Sequence, residues 1–272
     1  MKQATYTSQV SDSGQPAATP RRPRARLAEV VNVESLSPHL QRITVAGEAL
    51  HTLPAGEEGG YVKVILPDPG CDELELDLGR TPRPTMRSYT IQAFDPETTE
   101  LVLDFVVNRH QGPATNWAKT AKPGDKVGIA GPGPKKLDIW DAPRYVLLGD
   151  LTSLNAVAAY SQRISPLASI DAVIIVPHEE DKVALEVSAN TRLHWVLENQ
   201  ENVLVETVRG FRESLTTDTV VFMGLEAREI RPLRNLFQDE IGVPRHQMFA
   251  VGYWKRGVDA DRFGMEKQAN PL

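Results

Sequence analysis

The chain has 272 residues, room for two compact domains, with 41% hydrophobic residues, 24% charged residues and a formal net charge of -6. That balance argues against general nucleic-acid binding, which needs a basic surface, but it leaves room for one local cationic pocket. A single cysteine, Cys71, excludes a disulfide framework or a thiolate cluster within one chain. No run approaches the roughly 18 apolar residues of a membrane span, and the opening MKQATYTSQVSDSGQPAATP has no apolar signal core. The expectation is a soluble cytoplasmic protein, a monomer, with no membrane insertion.

Residues 1–22, rich in Ser, Thr, Gln, Pro and Ala, read as a disordered tail. Residues 23–140 read as β. The runs RLAEVVNVES, LQRITVAG, YVKVILP, RSYTIQAF, LVLDFVVN and DKVGIAG are rich in Val, Ile, Leu and Phe, with Pro, Gly, Asp and Asn between them. Six such runs predict a six-stranded antiparallel Greek-key barrel. Arg24 and Arg26 are expected on the wet face of its first strand. One helix, ATNWAKTA, interrupts the pattern just after Pro113. From 141 to 272 the chain alternates. RYVLLGD, DAVIIVP, NVLVETV, TVVFMGL and HQMFAVGYWKRG read as strands. SLNAVAAYSQRI, a segment around LHWVLEN, and EIRPLRNLFQDEIG read as helices. That alternation predicts an α/β domain with a parallel sheet covered on both faces, followed by a C-terminal extension.

Three stretches carry chemistry. In PTMRSYTIQ the Arg87 guanidinium suits a pyrophosphate, the Tyr89 ring a planar heterocycle, and the Thr90 hydroxyl its polar edge. The same residues also suit a plain strand start with a wet arginine and a half-buried tyrosine. Gly112, Pro113, Ala114 and Thr115 lead into the short helix, whose free N–H groups can receive a phosphate. Gly149, Asp150, Thr152 and Ser153 follow a buried strand, where open α/β sheets bind ligands. An ordinary turn would look the same.

MRSYTIQAF resembles the R-x-Y-[ST] flavin signature of the ferredoxin–NADP reductase superfamily. DFV…GPATNWAKTAKPGDKVGIAGPG is similar to a longer run of the siderophore-interacting proteins, a family of FAD-dependent ferric-siderophore reductases. GLEAREIRPLRNLFQDEIGVPRHQMFAVGYWKRG resembles that family's closing segment. The resemblance implies an FAD-binding barrel followed by an NAD(P)H-binding-like domain. It assigns Arg87, Ser88, Tyr89 and Thr90, Asp104 and Val106 of D-F-V, and Gly112, Pro113, Ala114 and Thr115 to the cofactor. Trp117 is expected to pack rather than to touch it. The family's histidine after D-F-V is replaced by Asn108, with His110 two places on, and either could serve. The second-domain motif reads GDLTSLNA, keeping Asp150 and Thr152, with Ser153 following. Leu151 and Asn155 depart from the family pattern and leave the donor open between NAD(P)H and reduced ferredoxin. Lys63, Lys255 and Arg256 are expected to attract an anionic ferric siderophore. No side chain acts as nucleophile and none ligates a metal. Two alternatives stand beside this reading: another flavin-dependent oxidoreductase of the same architecture, or a module that binds the chelate without turnover.

Overall fold

The computed structural model describes residues 25–68, 74–79, 81–199 and 201–269. The tail expected over 1–22, Arg24 and Cys71 lie outside the described residues. Strands β1 (Arg26–Ser37), β2 (Leu40–Ala46), β3 (Tyr61–Ile65), β4 (Met86–Asp95), β5 (Glu100–Val106) and β6 (Lys126–Gly133) close a barrel in the order β1-β2-β5-β4-β3-β6. Every neighbouring pair is antiparallel. The six runs found in the sequence are these six strands. In β5, for example, Leu101, Leu103 and Phe105 point into the barrel and are buried, while Val102 and Asp104 between them turn to the other face. The helix α1 (Pro113–Thr120) caps the barrel near β5 and β2.

Arg26 corrects an expectation. It is buried with Ala28 and Val30 on the inner parity of β1, while Leu27, Glu29 and Val31 face water. Its guanidinium donates to Thr52 Oγ1 at 2.7 Å and to the Gly131 carbonyl at 2.9 Å. These bonds hold the turn after β2 against β6, which is how a charged group tolerates the interior.

The second half is a sheet of five parallel strands, β7 (Arg144–Asp150), β8 (Ser169–Val176), β9 (Thr191–Leu197), β10 (Thr219–Glu226) and β11 (Met248–Trp254), in the order β11-β10-β7-β8-β9. Helices α2 (Leu154–Arg163), α3 (Val203–Arg209) and α4 (Ala227–Asn235) pack on it, and α5 (Ala260–Ala269) follows β11. Successive β7 residues serve opposite faces. Tyr145 and Leu147 join the core with α2, and Val146 and Leu148 join the core with α3 and α4.

Two elements exchange roles relative to the sequence reading. LHWVLEN is the edge strand β9, and NVLVETV is the helix α3. The run of Val and Thr in α3 favours a strand, but Leu204, Val205 and Val208 are buried at helical spacing. The parallel return from β9 to β10 needs a crossover, and that tertiary demand overrides propensity. Among the described residues no helix is long and apolar enough to cross a membrane.

The two halves are fastened together. Leu36, Leu40 and Val106 of the barrel enter the α2-side core. The Tyr160 hydroxyl donates to the Gly59 carbonyl and accepts from the Lys136 N–H, both at 2.9 Å. Near the start of β4, Thr90 hydrogen-bonds Tyr253 of β11, so the barrel rim meets the carboxyl end of the sheet.

Candidate functional site

The start of β4 lies on the barrel rim. Tyr89 faces inward, its ring 4.0 Å from that of Phe105, which meets Trp117 at 5.6 Å. Trp117 therefore packs, as expected, and one face of Tyr89 is fixed. Burial pushes the Tyr89 phenol above its usual range, and nearby Arg87 opposes this. On the outer face, exposed Ser88 lies across from exposed Lys63, and buried Thr90 lies across from Tyr61. Arg87 points along the rim with only 17% of its side chain exposed. Its Nη1 and Nη2 donate to the two carboxylate oxygens of Asp261, each at 2.9 Å.

Beyond β5 the chain turns through Asn108, whose positive φ of 60° suits asparagine. The Asn108 amide donates to the Pro38 carbonyl at 2.8 Å. His110 instead lies at the mouth of α1, its Nε2 3.0 Å from Thr115 Oγ1. Burial lowers its pKa, and Lys119 and Arg109 add to that. No side chain caps the α1 N-terminus, Pro113 occupies its first turn, and Ala114 and Thr115 are buried behind it. A Cβ built on Gly112 would meet nothing nearer than His110 Cδ2 at 3.9 Å, so the space before the helix is open. The Val106 carbonyl accepts from Thr115 Oγ1 at 3.2 Å, and its side chain packs between the halves.

In the parallel sheet, β8 and β10 flank β7 on opposite sides, so the crevice beyond β7 and β10 is a topological switch point. Asp150 lies there. It accepts from the Thr152 N–H and from Trp254 Nε1, each at 2.8 Å, and burial raises its pKa. Ser153 is fully buried, and its hydroxyl donates to the Gly224 carbonyl at 2.6 Å. Two assigned cofactor contacts thus have another job. Ser153 ties β7 to β10 beneath the surface. Asp104, 2% exposed in its side chain, spends both oxygens on Arg42 at 2.8 and 2.9 Å and on Asn155 Nδ2 at 2.9 Å. Both side chains are thus engaged by the protein itself, Asp104 at three of its acceptor sites and Ser153 as donor and acceptor.

The expected substrate cations are spread. Lys63 stands exposed on β3. Arg256 pairs with Glu198 and lies 5.8 Å from the Trp254 ring. Lys255 Nζ reaches Glu266 at 2.7 Å. Sequence reasoning missed Lys136 and Lys267. Lys136 stands 5.0 Å from the Tyr61 ring. Lys267 bonds the Gly252 carbonyl at 3.2 Å, and burial, then Lys136, lowers its pKa. Tyr253 is half-buried, and burial, reinforced by Tyr160 and opposed by a hydrogen bond from Thr90, raises its phenol. Nothing in the spacing of Lys136 and Lys267 marks them, because they meet only through the fold.

These residues fit an FAD. A planar guanidinium and an uncapped helix mouth with open space before it are donors for a diphosphate, and Tyr89 offers an aromatic wall. As a class, barrel, rim and switch-point crevice define an FAD-dependent oxidoreductase of ferredoxin-reductase architecture. Residues 29–136 match the siderophore-interacting FAD-binding domain, and residues 142–257 match the siderophore-interacting protein model. The siderophore-interacting protein SipS from Aeromonas hydrophila superposes with a TM-score of 0.77 and 32% identity, covering 91% of this chain and 98% of that one. A siderophore utilization protein from T. fusca gives 0.74 and 30%, covering 87% and 94%. The ferric vibriobactin reductase ViuB of Vibrio cholerae is 25% identical over 253 residues, 89% of this chain and 93% of its own. The chain belongs to the siderophore-interacting protein family.

Proposed function

We propose that the protein is a ferric-siderophore reductase that works in the cytoplasm as a monomer. Residues 23–140 form its FAD domain and 141–272 its donor-binding domain. The observation that carries this reading is the pair of diphosphate donors the barrel presents, the half-buried Arg87 guanidinium at the start of β4 and the uncapped mouth of α1, which packs on β2 and β5. Bound FAD supplies the conversion of a two-electron reductant into single electrons for Fe(III). The chain's residues hold and orient. Arg87 and the first N–H groups of α1 bind the diphosphate, with Gly112 and Pro113 leaving its approach open. Tyr89, Ser88 and Thr90 border the ring system. His110, bonded to Thr115, takes the polar position beside α1, since the Asn108 amide is committed to Pro38. Lys63, Lys255 and Arg256 attract an anionic chelate. Hard oxygen donors hold Fe(II) far less tightly than Fe(III), so reduction releases the iron. The electron donor is NAD(P)H or reduced ferredoxin, with Thr152 at the switch point available to a nucleotide.

The test is an absorbance spectrum of the purified protein, followed anaerobically by NADH, NADPH or reduced ferredoxin, a ferric siderophore and an Fe(II) trap. Flavin bands that bleach with one donor and recover as trapped Fe(II) accumulates are expected. Chelate binding by a protein that takes up no flavin would overturn the reading. The substrate cations have their own check. Lys63→Ala with Lys255→Ala is expected to raise KM for an anionic ferric siderophore about five-fold at low ionic strength, with FAD retained. Unchanged KM in steady-state kinetics would remove the cationic-pocket assignment.

A further inference from the structure

The sequence reading did not foresee α5, yet this helix touches two of the cations assigned to ligands. Asp261 takes both prongs of Arg87, and Glu266 takes Lys255. Phe263, between them in sequence, is buried at 6% exposure, and Lys267 of the same helix bonds Gly252 of β11. A ten-residue helix is marginal alone, so these contacts hold it in place.

We propose that α5 is a strap whose Asp261 carboxylate competes with the FAD diphosphate for Arg87, so that cofactor binding is an exchange that loosens the helix and its hold on Lys255. The proposal rests on the flavin reading above. The pair is asymmetric: the Arg87 side chain is 17% exposed, whereas that of Asp261 is 76% exposed. The barrel rim therefore holds the cation, and its present partner is the one free to leave. An exposed carboxylate pair is weak, whereas a diphosphate brings more charge and more acceptors to the same fork. The exchange thus runs toward the cofactor, with α5 lowering its affinity by a modest factor. Glu266 couples the two sites, because releasing one end of so short a helix weakens the pair at its other end.

The experiment titrates flavin-free, full-length protein with FAD and with ADP, comparing wild type with Asp261→Asn. Asp261 is exposed and its replacement nearly isosteric, so the fold is preserved. The expected result is tighter FAD and ADP binding by about two- to five-fold, the factor an exposed ion pair carries. Amide hydrogen exchange over 260–269 should also speed up when either ligand binds wild type. Equal dissociation constants, or α5 amides that do not respond to saturating FAD, would overturn the strap and leave the flavin reading intact. FAD that binds neither protein would overturn both.

Discussion

Arg87→Ala is expected to weaken FAD binding by about ten- to a hundred-fold, the worth of a charge-assisted hydrogen-bonding fork. The site leaves little to compensate. The guanidinium is mostly buried on the rim, and the remaining diphosphate donors, the N–H groups of α1, are backbone groups that carry no full charge. Fluorescence titration of the flavin-free protein measures the effect, and a variant that keeps its full yellow colour through dilute gel filtration would contradict it. Two variants at this rim then move in opposite directions: losing the cation weakens the cofactor, and neutralising its carboxylate partner strengthens it. If Asp261 acts through Arg87, the two changes are not additive, and Arg87→Ala with Asp261→Asn binds FAD as weakly as Arg87→Ala alone. Tightening by Asp261→Asn that persists without Arg87 would instead point to a general charge effect of the helix.

Local pattern made the barrel legible. Its strands are short runs rich in Val, Ile, Leu and Phe, and turn residues separate them. R-S-Y-T and G-P-A-T stood out for a similar reason, because each is contiguous and sits at an element start, β4 and α1. What failed depended on distant partners. The parity of β1 decides whether Arg26 is wet or buried, and Leu27 and Val31 alternate as well as Ala28 and Val30 do. The identity of β9 and α3 is set by the crossover that a parallel sheet needs, not by their own residues. In α5, ADRFGMEKQA has a glycine inside and buries only Phe263, so it shows no apolar stripe. Its role comes from Arg87, 174 residues earlier. The acid of D-F-V was read as a cofactor contact because the motif is a cofactor motif. Its partners, 62 residues before it and 51 after, give it a different task.

That task predicts the largest stability change. Asp104 lies opposite Arg42 across β2 and β5, and it also accepts from Asn155 at the start of α2, so one carboxylate ties barrel to sheet domain. The pair's hydrogen bonds raise the Arg42 pKa despite its partial burial, which would otherwise lower it. Asp104→Ala strands a guanidinium and an amide at the junction. Breaking a buried pair costs about 3–5 kcal/mol, and Arg42, 29% exposed, regains some water, which puts the loss near ~3 kcal/mol. For a chain of this size that lowers Tm by roughly 6–10 °C. Arg42→Ala with Asp104→Ala should lose less than the two single changes together, because neither charge is then left alone. Scanning calorimetry on flavin-free protein separates this role from the one the motif suggested. A junction residue lowers Tm with no ligand present, whereas a cofactor contact leaves the flavin-free Tm unchanged and weakens only the FAD titration.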